Sequence, residues 1–325
     1  MRSLPLPIYT LILLIFLYPW FLKGFYLGNV GELNKSVSLL ALAMAFGTPI
    51  YAMYLSIRLR QTPTADDTER SHRHFVLLGV IVPSLFTLIG VILYMLGMGM
   101  MAELFVYYTF WAIAAFIFLK SDTGDLSAVK TVPASLRVAH GISSLILVVF
   151  IAAHLTNHLA ANWGGTTHIQ VMETLRLYYR EPLVEVLLIG TFLFQIVSGL
   201  ILLSKHADKA SDGYRTIQLA TGLLVMVFFT SHITAVIGLG RSFASVDTNW
   251  DWLVYAPGLL KDPWNVRLVV HYGLGVFALL VHLLLGLRVV MTAHKGEKLA
   301  NRMFWVCMIT PFIITFFIMK PLVTA

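Results

Sequence analysis

Six histidines lie inside or at the ends of long apolar runs in one part of the chain: His140, His154, His158, His232, His271 and His282. An ionisable side chain in such a setting is costly and marks a functional candidate. Neutral imidazole offers one N–H donor and one lone pair, so it can ligate a metal or hydrogen-bond a carbonyl. Two of the six share a position. His154 follows Arg137 by 17 residues and His232 follows Arg215 by 17 residues, and each arginine opens its run. At about 1.5 Å per residue the two rings stand at one level, in the half of a bilayer far from both arginines. Imidazoles that face one another at one depth, from helices running the same way, can give both axial ligands of a b-type haem. The iron takes a nitrogen on each side, and the macrocycle takes an apolar slot in a bundle core. The competing reading is two histidines hydrogen-bonded to neighbouring helices.

A second pair is less regular. His282 lies 15 residues beyond Arg267 and Gln195 lies 13 residues beyond Pro182, on runs that cross in the opposite sense. Both fall in the inner half. Gly286 and Gly199 follow them by four residues, which leaves a gap on the same helix face for a flat ring or a close helix. His282 and Gln195 are candidates for a second haem, for a quinone, or for a bond to each other. His158, one turn beyond His154, and His271, near the outer end of its run, are candidate alternative ligands or a proton or quinone site. For His271 the reading preferred is an interfacial residue in contact with water. Arg176, Arg180 and Arg241 are the cations nearest the outer face and the candidates for pairing with haem propionates. His140, His168, His206 and His294 fall near the membrane surface or in loops and read as ordinary.

These residues need elements to hold them. The 325-residue chain is 58% hydrophobic and 12% charged, against about 25% charged in soluble domains, and its mean hydropathy is +0.81. It reads as an integral membrane protein. Roughly 20 apolar residues cross a bilayer, and nine runs qualify: 5–22, 36–57, 75–98, 102–119, 136–160, 183–204, 214–239, 267–291 and 303–320. The expected fold is an all-α polytopic membrane bundle of about nine transmembrane helices. With the N-terminus inside, the inside segments hold fifteen of the 23 Lys and Arg residues, so the positive-inside rule places the N-terminus inside and the C-terminus outside. The formal charge of +7 is of this orienting kind; the partner it implies is membrane lipid, not nucleic acid. The one cysteine, Cys307, excludes an internal disulfide, an iron–sulfur cluster held by this chain alone, and C-x-x-C-H haem attachment. The first run lacks a small-residue cleavage site and reads as a helix rather than a removed signal peptide.

Residues 161–182 suit an amphipathic helix on the membrane surface. Residues 241–266, with Trp250, Trp252, Tyr255 and Trp264, suit an interfacial aromatic belt. Residues 59–74, with Asp66, His72 and His74, read as a solvated loop, so no histidine falls within the first four helices. Two modules follow: residues 1–125, with about four helices, and residues 126–325, a five-helix histidine-bearing unit.

The stretch from Arg137 to Arg288 resembles the membrane anchor of succinate:quinone oxidoreductases and fumarate reductases, of the kind with one polypeptide and two b haems. Four segments carry the resemblance: His154-Leu-Thr-Asn-His158 with Met172-Glu173-Thr-Leu175 after it; Val184-Glu185-Val186 leading to Phe194-Gln195-Ile-Val-Ser198-Gly199; Tyr214-Arg215 to Thr230-Ser-His232; and Gly273-Leu-Gly275 through His282-Leu-Leu-Leu-Gly286. In that family four helices give one histidine each. The resemblance implies His154 and His232 as ligands of an outer haem b and His282 at an inner position. Gln195 stands where the family has the fourth histidine, so one haem is implied and the second site is open. Such anchors dock a flavoprotein and an iron–sulfur subunit on the cytoplasmic face of a bacterial inner (plasma) membrane. The likeness covers roughly half the chain, and the four N-terminal helices lie outside it.

The expected role is a cytochrome b-like subunit passing electrons between a redox partner and the quinone pool, itself non-catalytic. The alternative is a haem-free scaffold, sensor or transporter that keeps the anchor fold. Inverted repeats and broken helices, the marks of a transporter, are not evident. Neither H-E-x-x-H nor G-x-S-x-G nor paired membrane carboxylates are present, which speaks against an intramembrane enzyme.

Overall fold

Apolar runs of this length become helices because lipid offers no partner for a bare backbone N–H or C=O. The computed structural model describes residues 5–62, 67–120, 133–207, 209–255 and 257–325. The expected module boundary at 125–126, and with it Arg2, Asp66 and Lys130, lies outside the described residues. Among those residues there is no strand, and nine helices are long and apolar enough to cross a membrane.

The first two spans are α1 (Leu6–Asn29) and α2 (Lys35–Arg60), packed along one another. Asn34 caps α2 by accepting from the Ser36 N–H at 2.9 Å. The third span is composite: α3 (Asp67–Leu78), a 3-10 turn at Gly79–Ile81, and α4 (Val82–Met95). Pro83 sits at the seam, where it has no N–H to continue the ladder. This corrects the reading of residues 59–74 as a solvated loop. His72 and His74 stand on helix α3, and Arg73 is buried there, bonded to Glu69 one turn back at 2.6 Å. The fourth span is α5 (Met100–Lys120).

The second half runs α6 (Ala134–Ala160), α7 (Gly165–Tyr179), α8 (Pro182–His206), α9 (Gly213–Ile233), α10 (Trp250–Val254), α11 (Arg267–Lys295), α12 (Glu297–Cys307) and α13 (Ile309–Thr324). Helix α7 is the short helix expected after the fifth span, with Leu177 and Tyr178 exposed. Helix α9 does not stop at the expected 239; it runs on as a π-helix over Thr234–Phe243. Helices α12 and α13 form the ninth span, Glu297–Thr324, interrupted at Met308. Outward side chains stay apolar (Met101 80%, Val149 73% and Phe105 71% exposed), as a lipid solvent requires.

The two halves share one apolar core, from Ile8 and Leu11 through Phe75 and Trp111 to Leu223 and Val270. Helix α4 packs on α9 and α11, and α2 on α9. Two buried arginines add polar ties. Arg267 of α11 is ion-paired with Glu103 of α5; its guanidinium lies 4.5 Å from the Phe86 ring centre and 4.6 Å from that of Trp264. Arg60, at the end of α2, donates to the carbonyls of His206 at 2.6 Å, Lys209 at 3.0 Å and Ala207.

Close helix contact also sets the aromatic wall of the histidine region. A Cβ at Gly275 of α11 would lie 2.2 Å from Phe228 of α9, so the Phe228 ring occupies a notch that only glycine leaves open. Gly275→Ala is expected to destabilise the protein by about 1–3 kcal/mol, the usual penalty of overpacking, read as a lower thermal midpoint in detergent.

Candidate functional site

Helices α6, α8, α9, α11 and α13 surround a cavity that opens toward the α7 end of the bundle. Its walls are apolar, with Phe150, Phe192, Phe228, Phe229, Val236 and Ile237 among them. His154 enters from α6 and His232 from α9, with ring centres 5.9 Å apart. Each imidazole is backed by the phenylalanine one turn earlier on its own helix, as side chains four residues apart must be. His154 stacks on Phe150 at 5.6 Å and 15°, and His232 on Phe228 at 6.0 Å and 14°. His232 Nδ1 is buried without a hydrogen-bond partner.

The mouth of the cavity is cationic, and Arg176, Arg180 and Arg241 all line it. Arg176 bonds Asp247 at 2.7 Å and the Thr248 carbonyl at 3.1 Å. Arg241 is paired with Glu185. Among the described residues Arg180 bonds the Thr248 hydroxyl, at 3.4 Å; burial, with Arg176 beside it, lowers its affinity for its proton. The π-helix brings Arg241 here, and such wide turns recur at functional sites.

No family model, curated protein or solved structure matches this chain.

Geometry must therefore speak for the site. An imidazole–metal bond is about 2 Å, so two axial imidazoles place their ring centres roughly 6 Å apart once both ring radii are added. The His154–His232 separation has that size. The unpartnered His232 nitrogen, the apolar walls and the arginine mouth also suit a haem. The cavity volume, about 230 Å³, is below the ~300–1,000 Å³ of common ligand pockets. His158 takes part of the room: its Nε2 leans on His154 Nε2 at 3.3 Å. A macrocycle would require that contact to open. His154 and His232 are the residues that would hold the iron.

The histidine cluster is larger than the sequence suggested. His158 Nδ1 lies 3.4 Å from His168 Nε2, which is 3.2 Å from Asn157 Nδ2. His168, read as ordinary, is in fact 2% exposed and packs on Trp250 at 5.0 Å. Trp250 likewise leaves the expected interfacial belt and turns inward, where Gly165 makes room for it. His271 does not meet water: it is 1% exposed and packs on Phe228 at 4.8 Å, behind the His232 wall. Seventeen-residue spacing found the facing pair, but a residue on a surface helix has no depth that a sequence can report.

His282 and Gln195 do not bond each other. His282 Nδ1 donates to the Gln218 carbonyl at 3.1 Å, across to α9. Gln195 Nε2 donates to the His140 carbonyl at 2.8 Å and to Ser143 Oγ at 2.7 Å, across to α6.

His168 carries a pH prediction. Burial, with Arg176 nearby, holds it down to about 4 from an ordinary 6.5. Between those values the unfolded chain binds a proton that the folded chain lacks, so stability is full above pH 6.5 and falls as pH drops toward 4. Stability at pH 7 and pH 5 should differ in the wild type, by at most about 2 kcal/mol from this residue, read as a lower thermal midpoint at pH 5. In His168→Asn that difference should shrink; an unchanged pH dependence would count against a buried neutral His168.

Proposed function

We propose that the protein is a membrane cytochrome b-like subunit that carries electrons between a redox partner and the quinone pool, with one b haem held by His154 and His232. The observation that carries this reading is the separation of 5.9 Å between two phenylalanine-backed imidazoles across an apolar cavity. A bound haem supplies reversible one-electron chemistry between its two iron states. The chain's own residues do the rest. His154 and His232 would hold the iron; Phe150, Phe192 and Phe229 line the cavity and exclude water; Arg176, Arg180 and Arg241 would neutralise the propionates with charge-assisted bonds. The N-terminus is inside and the C-terminus outside, in a bacterial inner membrane, and the redox partner, a flavoprotein with an iron–sulfur subunit, docks on the cytoplasmic face.

The test is a dithionite-reduced minus oxidised spectrum of the detergent-purified protein, with a pyridine haemochrome count. A b-type α band at one haem per chain is the expected result. No haem, in protein made with ample haem supply, overturns the reading. It would favour the haem-free scaffold or sensor, in which the His154–His158 contact at 3.3 Å is the working state of the cluster.

A further inference from the structure

Three arginines line the mouth of the cavity, and two of them have carboxylate partners. Arg176 is paired with Asp247 at 2.7 Å and Arg241 with Glu185. Arg180 has no ion pair among the described residues; the bond it makes there is to the Thr248 hydroxyl, at 3.4 Å. Arg176 reaches the same residue, donating to the Thr248 carbonyl at 3.1 Å. The two guanidinium groups therefore converge on one point, between the π-helix and α10. Arg176 Nε is in addition buried without a hydrogen-bond partner. Arginine forks with N–H groups to spare are shaped for a carboxylate. Burial, and then Arg176, disfavour the charge of Arg180, and a bound anion would relieve it.

Helix α7 sets this geometry. His168, Met172, Arg176 and Arg180 follow one another at four-residue intervals, which places them along one side of the helix, and all four line the cavity. The cationic end of this stripe stands at the mouth. Behind it the walls are Phe150, Phe192, Phe229 and Ile237. The volume of about 230 Å³ admits a thin chain as it stands, whereas a macrocycle must first part His158 from His154, which are 3.3 Å apart.

Cations at the lip of an apolar shaft select a ligand with an anionic head and a slender apolar body. We infer that the cavity binds a fatty carboxylate, its head on Arg180 and Arg176 and its acyl chain between α6, α8 and α9. This site goes beyond the haem reading and does not depend on it. The two ligands would use one mouth and one cavity, so they exclude each other, and a fatty acid competes with haem loading.

The experiment is equilibrium dialysis of radiolabelled laurate against the full-length protein in detergent, with protein-free micelles at the same concentration as the reference and haem counted on each sample. His232→Ala, which should carry no haem, should bind one laurate per chain saturably; wild type made without haem supply takes its place if that variant fails to fold. Haem-loaded wild type should bind laurate in inverse proportion to its haem content. Adding Arg180→Gln to the haem-free protein should weaken laurate by about tenfold or more, and Arg180→Lys, which keeps the charge, should weaken it less. Dodecanol, the same chain without the charge, should bind more weakly than laurate and ignore Arg180→Gln. Equal laurate affinity with and without Arg180 overturns the site. So does laurate that partitions only as it does into empty micelles, or that binds haem-loaded chains as readily as haem-free ones. A wild type that never carries haem yet binds laurate through Arg180 keeps this site and removes the cytochrome reading.

Discussion

His154→Ala and His232→Ala should each abolish the reduced-minus-oxidised α band, taking the haem count of the purified protein to zero. The effect is complete because a b haem has no covalent tether; its binding depends on both axial nitrogens and the slot around them. His158→Ala is the informative control. His158 touches His154 at 3.3 Å without being one of the two proposed ligands, so its removal should leave the proposed haem in place and enlarge the slot. The two outcomes invert if iron uses the other nitrogen: loss of haem in His158→Ala with retention in His154→Ala would assign the ligand to His158. A six-coordinate spectrum that survives in both His154→Ala and His232→Ala would remove the assignment altogether.

The second large effect concerns the tie between the halves. Glu103 and Arg267 are 3% and 2% exposed, and Gly90 leaves the space in which they meet, since a Cβ there would lie 2.5 Å from the guanidinium. Removing one partner strands a charge in an apolar core. Arg267→Met or Glu103→Leu alone should therefore destabilise by about 3–5 kcal/mol, seen as a lower thermal midpoint and earlier proteolysis. The double variant Glu103→Leu with Arg267→Met should recover much of the loss, because a well-packed apolar pair can replace a buried ion pair. Losses that simply add would show that the pair does not act as a unit.

The sequence made the helices easy to see and the neighbours hard. Nine apolar runs mark nine spans because lipid demands an uninterrupted ladder of backbone bonds, and composition alone reveals that demand. The His154–His232 level was legible because both helices start at the same face with an arginine, so counting residues measures depth. Counting fails for lateral position. Gln195 and His282 match in depth, yet each turns to a different helix, α6 for one and α9 for the other. His168 and Trp250 were missed for a related reason: one sits on a surface helix and the other on a short helix after a loop. Only the folding of α7 and α10 over the cavity brings them together. The third span was legible from residue 75 on, but its first turns hid behind charge. Asp67, Glu69 and Arg70 lower the mean hydropathy of a helix that is nonetheless continuous into the core.

Arg60 bears on how the chain is made. The last carbonyls of a helix lack intrahelical partners, and those of α8 are met by a side chain that precedes them by about 146 residues in sequence. During synthesis the N-terminal hairpin leaves the ribosome first. Its guanidinium is already waiting at the membrane when α8 arrives, and the Ser211 N–H then returns a bond to the Arg60 carbonyl at 2.9 Å. The N-terminal hairpin thereby supplies, from far back in the sequence, the polar partners that the end of α8 lacks within its own helix. Two fragments of this chain, cut between α5 and α6 and expressed in the order opposite to nature, would have to solve that step without the template.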